Sequence, residues 1–303
     1  MMYLVAFTIT FLLFVYQIKH KEIDYTIDDT LTLFLYTIAG LILGARLFSA
    51  LVYDGSTFYW THPWLIFWPF RNGQFIGLPG MSYHGGMLGA IIGSWLFSRR
   101  YNRSFFQLAD VLAAGIPLGY TFGRLGNFIN GELWGRVSTV GWSMVFPDAP
   151  RFSTNYSWVR DIADKVGLSY TPGALVNLPR HPSQLYEACF EGVVLWLFLW
   201  LIIRKRKQFP GFILSWYIIG YGMIRFLIEY LREPDSNIGF VIAGGAQTEP
   251  LALFHSVLNI SLGQILSLLM VAGGVTLLLL LTSRHKQLMS KQLNANSVKK
   301  RKK

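Results

Sequence analysis

Charge is scarce in this chain and cysteine almost absent. Asp, Glu, Lys and Arg make up only 14% of its 303 residues, where a soluble domain carries about 25%. A single cysteine rules out a disulfide framework and any Cys-rich zinc or iron–sulfur site. The common catalytic signatures are missing too. There is no Ser-centred GxSxG elbow, and no HExxH, P-loop or GxGxxG. What the chain has instead is apolar bulk. Residues of the set AVILMFWYC reach 52%, which excludes a disordered chain. The formal net charge of +11 is the one feature that points toward nucleic acid. Those charges, however, lie almost entirely between long apolar runs. They act first as topology signals, and no nucleic-acid partner is needed to explain them.

A membrane helix takes about 20 mostly apolar residues. Seven runs qualify, at 1–18, 31–53, 81–98, 108–130, 184–203, 211–231 and 258–282. The expected fold is an all-α integral membrane protein with seven transmembrane helices. With the N-terminus outside, 17 Lys and Arg fall in the inner loops and C-terminal tail and 7 in the outer loops. The remaining 3 (Arg46, Arg124 and Arg225) fall within spans, which accounts for all 27. The positive-inside rule therefore places the N-terminus outside and the C-terminus in the cytoplasm. The first run has no basic residue before it and meets Lys19-His20-Lys21 after it. A cleaved signal peptide has the opposite charge order, so this run is read as a retained helix. The segment 131–183 is too polar and proline-rich to span, and is expected to form an outer-face (periplasmic) head on a membrane domain covering 1–282. Residues 283–303 form a basic cytoplasmic tail, expected to be disordered, whose charge also suits anionic lipid. Gly85, Gly89 and Gly93, and again Gly115, Gly119 and Gly123, recur every four residues. Small residues at that spacing let membrane helices approach closely.

Polar groups inside a bilayer cost several kcal/mol each (about 3 for a charged one by insertion scales), so each marks a candidate function. Here they gather at one depth. His84 opens the third span, Arg124 and Asn127 close the fourth, Gln184 and Glu187 open the fifth, and Tyr221, Arg225 and Glu229 share one face of the sixth. Four helices thus aim polar groups at the outer side. Arg124 and Arg225 have few carboxylates nearby in the sequence. The planar arginine fork matches phosphate, so the pair suits a phosphodiester headgroup. The alternative is that Glu229 and Glu132 neutralise them as structural ion pairs. Histidine is the residue type that changes charge near neutral pH, which suits His84 to take a proton from a nucleophile. A hydrogen-bonded structural histidine is the competing assignment. Cys189 reads as an inert packing thiol, and Asp110 as a helix-start residue at the inner interface.

Four sequence boxes then carry a resemblance. The stretch Gly123-Arg124-Leu125-Gly126-Asn127-Phe128-Ile129-Asn130-Gly131-Glu132-Leu133-Trp134-Gly135-Arg136 resembles the signature of the bacterial prolipoprotein diacylglyceryl transferase family. Tyr83-His84-Gly85-Gly86-Met87-Leu88-Gly89 is similar to that family's His-Gly-Gly segment. Arg180-His181-Pro182-Ser183-Gln184-Leu185-Tyr186-Glu187 resembles its His-Pro-Ser-Gln-Leu-Tyr-Glu box. Gly220-Tyr221-Gly222, with Arg225, Glu229, Arg232 and Pro234-Asp235, resembles its sixth-helix motif. The likeness runs from about Tyr3 to Thr282. Family members begin with a short outer segment and an Arg-Trp-Tyr-Gly-like lead-in. This chain starts Met1-Met2-Tyr3, so the expectation is that the outer end of its first helix is shortened or that its start codon is misplaced.

The resemblance implies a reaction. A diacylglyceryl group passes from phosphatidylglycerol to the lipobox cysteine of a preprolipoprotein, forming a thioether and releasing glycerol phosphate. It implies His84, Arg124 and Arg225 as catalytic residues, and Asn127, Asn130, Glu132, Gly135, Tyr221 and Glu229 as substrate-binding ones. Neither metal nor organic cofactor is required. The implied partners are phosphatidylglycerol, membrane lipid and the signal peptides of preprolipoproteins, and the implied location is the bacterial inner membrane. A non-catalytic phospholipid transporter or lipid-binding protein is the second reading. It would keep Arg124 and Arg225 but tolerate loss of His84 and Asn127, and would favour inverted repeats with broken helices, which the sequence does not display.

Overall fold

The computed structural model describes residues 2–53, 58–68, 70–71, 73–75, 77, 80–234, 238–245 and 248–301. Asp235 of the sixth-helix box, and Lys302 and Lys303 of the tail, lie outside the described residues. In chain order the helices are α1 (Met2–Lys19), α2 (Ile27–Phe48), α3 (Phe58–Thr61), α4 (Tyr83–Arg100), α5 (Phe105–Ile129), α6 (Ser157–Lys165), α7 (Ser183–Arg206), α8 (Phe212–Ile228) and α9 (Leu262–Arg301). Among the described residues three two-stranded antiparallel sheets accompany them: β1 (Phe70–Arg71) with β2 (Gln74–Phe75), β3 (Phe152–Ser153) with β4 (Leu175–Val176), and β5 (Phe240–Ala243) with β6 (Asn259–Ser261).

The chain is mostly helical, and each of the seven apolar runs is a helix over most of its length. Among the described residues four helices are long and apolar enough to cross a membrane: Ile27–Val52, Phe105–Ile129, Ser183–Arg206 and Leu262–Asn294. Leu4–Lys19 and Phe212–Ile228 are shorter apolar helices. Two expectations change. The last run does not begin as helix at 258, because Asn259–Ser261 pairs as β6 before α9 starts at Leu262. The tail expected to be disordered continues α9 to Arg301. No Gly or Pro follows Gly274, and the Leu, Lys, Gln and Met that do follow are good helix formers, so nothing in the sequence stops the helix.

The chain forms two compact units, Gln17–Leu108 and Met1–Tyr16 with Ala109–Lys303. In the first, Thr26 and Asp29 build a reciprocal capping box at the start of α2, both bonds 3.0 Å long. Ser82 caps α4 by accepting from the Gly85 N–H at 3.2 Å. These two helices pack backbone to backbone. A Cβ added at Gly85 or Gly89 would collide with the carbonyls of Gly44 or Gly40, and one at Gly93 with that of Tyr36. The four-residue stripe on α4 therefore does what its spacing predicts, and Gly40 and Gly44 supply its partner face. Arg46 is buried on α2. It donates to the Ile66 carbonyl, to that of Gly80 at 3.4 Å and to the Tyr59 hydroxyl at 3.2 Å, which ties the segment after α2 back to the helix.

In the other unit, α1 approaches α5 where a Cβ on Gly119 would strike Thr10 and Ala6. The third glycine of that stripe does not follow: among the described residues a Cβ at Gly123 would meet nothing within 4 Å. Ala113 and Ala114 of α5 share a buried cluster with Leu195, Leu199 and Ile203 of α7 and Ile213 of α8. Asp110 is fully buried in this packing. Its carboxylate accepts from the backbone N–H groups of Gly211 and Leu214, both at 2.9 Å, and pairs with Lys207 at 3.2 Å. This corrects its assignment to an interface: Asp110 satisfies orphan donors at the start of α8, a different helix from its own. Cys189 is corrected as well, since its side chain is exposed on α7 and not packed. The segment 131–183 folds around Val137, Val159, Ala163, Val176 and Leu178, and borrows Ala252 from beyond α8.

Candidate active site

Helix α5 ends in a manner that shapes the site. Gly131 takes a left-handed φ of 68°. Its N–H donates to the Phe128 carbonyl, and the Glu132 N–H to that of Asn127, both at 3.0 Å. This is a Schellman stop with glycine in the position that L side chains resist. It turns Glu132 back onto its own helix, where its carboxylate accepts from the side-chain amides of Asn127 at 2.8 Å and Asn130 at 3.2 Å. Those two bonds, Asn127 first, hold the Glu132 carboxyl below the usual carboxylate range. Gln184 of α7 donates to the Glu132 carbonyl at 2.6 Å, and Ser183 to that of Leu133 at 3.0 Å, which fixes the turn against the start of α7.

Gly135 follows. Its N–H donates to the His181 carbonyl at 2.9 Å, and it bridges antiparallel to Arg232. A side chain there would run into the Leu231 carbonyl and His181. The neighbouring Arg180 is fully buried. It donates to the Gly135 carbonyl at 3.2 Å, pairs with Glu233, and lies over the rings of Phe152 and Trp134. Burial lowers the basicity of His181.

The charged centre is built by α5, α7 and α8. Glu187, fully buried on α7, stands 2.8 Å from Arg124, 3.5 Å from Arg225 and 2.6 Å from Arg232. Arg225 also pairs with Glu229 at 3.0 Å, one turn along α8, and lies 3.7 Å from Glu191. Tyr120 donates to Glu191 and accepts from Nε of Arg124 at 2.6 Å. Its ring stands edge-on to that of Tyr221 at 6.1 Å. Ser261 donates to Glu229 at 3.2 Å, and Gly263 leaves room for that carboxylate, since a Cβ there would overlap it.

The structure therefore brings together Arg124, Arg225, Tyr221 and Glu229, and separately Asn127, Asn130 and Glu132 around one turn. It corrects one premise. Arg124 and Arg225 are not short of carboxylates, because α7 supplies Glu187 and Glu191. Glu132 does not pair with either arginine and is taken up by the two asparagines. Three arginines and three glutamates balance when all are ionised, which lets the cluster exist among apolar helices. His84 belongs to the other unit, in the first turn of α4, with an exposed side chain.

Residues 1–280 match the family model described as prolipoprotein diacylglyceryl transferase. The chain is 50% identical over 311 residues to a protein of Treponema denticola named phosphatidylglycerol–prolipoprotein diacylglyceryl transferase, covering 97% of this chain and 91% of the relative. A protein of that name from Treponema pallidum is 47% identical over 300 residues, covering 94% and 90%. One from Borrelia garinii subsp. bavariensis is 45% identical over 268 residues, covering 86% and 80%. The chain belongs to the prolipoprotein diacylglyceryl transferase family.

As a member of that family it contains functional candidates that the sequence alone did not single out. Glu191 lies four residues after Glu187, and Tyr120 four before Arg124. The helical i, i+4 rule places each on its neighbour's face, a signal present in the sequence but hidden by apolar surroundings. Arg232 stood only as an outer-loop charge and a motif position. Its 2.6 Å contact with Glu187 makes it part of the cluster.

Proposed function

We infer that this protein is a membrane-embedded phosphatidylglycerol–prolipoprotein diacylglyceryl transferase. The single observation that carries this is the match of residues 1–280 to the family, joined by relatives of that name at 45–50% identity over most of their length. The same names favour catalysis over passive lipid handling.

The arginine cluster fits the chemistry. The acceptor thiolate attacks the glyceryl carbon bonded to the phosphate oxygen. A carbon–sulfur bond forms, the carbon–oxygen bond breaks, and glycerol phosphate leaves with the bonding electrons. Negative charge grows on that leaving group, so fixed cations should act mainly in the transition state. We assign that task to Arg124 and Arg225, supported by their convergence on Glu187. Asn127, Asn130, Glu132, Gly135, Tyr221 and Glu229 are assigned to substrate binding. Their support is the shared turn after α5 and the shared face of α8. His84 is assigned the thiol proton on the strength of its residue type and its exposed place at the start of α4. No metal or organic cofactor enters these steps.

The further reading is of seven spans in the bacterial inner membrane, N-terminus outside, C-terminus in the cytoplasm, with 131–183 as a periplasmic head. Its support is the distribution of Lys and Arg, 17 against 7. The acceptor is the lipobox cysteine at the end of a signal peptide, itself an apolar helix. The decisive experiment incubates purified protein with phosphatidylglycerol and a lipobox peptide. A diacylglyceryl mass increment on the cysteine is the expected result, and an unmodified peptide over many turnover times would reject the assignment.

A further inference from the structure

We propose that Tyr120 and Glu191 are a positioning pair that sets the guanidinium of Arg124 for the donor phosphate. The proposal rests on the transferase reading and adds to it two residues that touch no reacting atom.

A tyrosine hydroxyl has one proton and two lone pairs. Here the proton goes to Glu191, so a lone pair is left directed at Nε of Arg124, 2.6 Å away. Without a buried acceptor the hydroxyl would be free to rotate its proton toward the guanidinium and lose that bond. The Tyr120 ring also lies beneath the same group, its centroid 4.8 Å from the guanidinium carbon. Edge and face of Arg124 are thus both held by one side chain. Glu187 adds a charge contact at the same Nε, 2.8 Å away, while the Nε proton goes to Tyr120. Among the described residues the polar contacts of Arg124 fall on Nε, so Nη1 and Nη2, the end of the fork, are available to a ligand. Two parallel N–H bonds from that end match a phosphate.

The pair stands where two helices are locked together. Thr121, next to Tyr120, lies so close to Gly192, next to Glu191, that a Cβ on the glycine would overlap its hydroxyl. The Thr121 hydroxyl shares its proton between the Pro117 carbonyl of its own helix and the Ala188 carbonyl of α7, both at 3.3 Å. The Ala188 carbonyl opens the π-helical stretch Ala188–Val194, which contains Glu191. Such stretches loosen the regular backbone ladder and are often found at functional sites. Here the close approach of Thr121 to Gly192, with its hydroxyl reaching the Ala188 carbonyl, sets the height of Glu191 opposite Tyr120. Glu191 also lies 3.7 Å from Arg225, so one carboxylate registers both arginines.

Tyr120→Phe keeps the ring and removes only the hydroxyl. With a misplaced fork the expected loss in kcat/KM for phosphatidylglycerol is about 10- to 100-fold, while KM for the lipobox peptide stays within about twofold of the parent. A structural role alone would move both substrates together. In an Arg124→Lys background, Tyr120→Phe should cost less than about threefold, since the residue it positions is gone. Glu191→Gln keeps an acceptor for the Tyr120 proton and should exceed Glu191→Leu by about tenfold or more. Independent, multiplicative effects of Tyr120→Phe and Arg124→Lys would overturn the proposal. Equal shifts in both substrates' KM, or Glu191→Gln as poor as Glu191→Leu, would do the same. If the leucine variant fails to fold, the tyrosine cycle decides alone. A parent protein that transfers nothing would refute the transferase reading itself, a result distinct from any of these.

Discussion

Glu187 and Arg232 meet at 2.6 Å across 45 residues of sequence. Through that contact the box that opens α7 is tied to the end of α8, and Glu187 becomes the shared counter-ion of three arginines. Removing it takes from Arg124 its carboxylate partner and leaves the partly buried cluster one negative charge short. The cost falls below that of breaking a fully buried pair, about 3–5 kcal/mol, because Glu229 and Glu191 still face Arg225. Glu187→Leu should therefore lower the thermal unfolding midpoint in detergent sharply and abolish transfer, with Glu187→Gln intermediate. An unfolding midpoint equal to the parent's would show that the cluster does not depend on this carboxylate.

Arg124→Lys and Arg225→Lys should each reduce transfer by about a hundred- to a thousandfold, with membrane insertion intact. Lysine keeps the charge and loses the planar fork. Quantifying lipidated peptide by mass spectrometry checks this, and near-parental rates for either variant would remove the phosphate role.

His84→Gln should lower turnover and flatten the acidic limb of the pH–rate profile, with phosphatidylglycerol affinity little changed. Raising the pH should partly restore turnover, because a free cysteine thiol ionises by itself at about pH 8.5. Turnover that stays low at every pH together with weakened lipid binding would place His84 among lipid ligands or structural residues.

Asp110→Ala should cost stability and spare chemistry. Its carboxylate serves the backbone of Gly211 and Leu214 at the start of α8, and a lost cap is worth about 1–2 kcal/mol. Unfolding in detergent reads the loss, and kcat/KM of the surviving folded protein should match the parent. A selective fall in kcat/KM without a stability change would contradict the capping role.

A reporter fused after Lys303 should be active only in the cytoplasm, and a tag inserted within 150–165 should be reachable from outside the cell. The Lys and Arg distribution motivates both outcomes. External exposure of the C-terminal reporter would reverse the proposed orientation.

Much of this protein follows from local pattern. Apolar run length marked segments that are helical over most of their length, and the four-residue glycine spacing on α4 set a close helix contact. The i, i+4, i+8 spacing of Tyr221, Arg225 and Glu229 put those residues on one face. Each depends only on helix geometry, so a linear sequence carries it. Pairing does not. Glu191 sits in an apolar helix and declares no partner until α5, α7 and α8 pack and bring Tyr120 and Arg225 to it. Asp110 looks like the start of its own helix until α8 arrives to be capped. Glu132 looked like a counter-ion for arginine until the turn at Gly131 carried it back to Asn127 and Asn130. Helical periodicity is written in consecutive residues, whereas the choice of counter-ion is made by distance in space, and that only the packed helices decide.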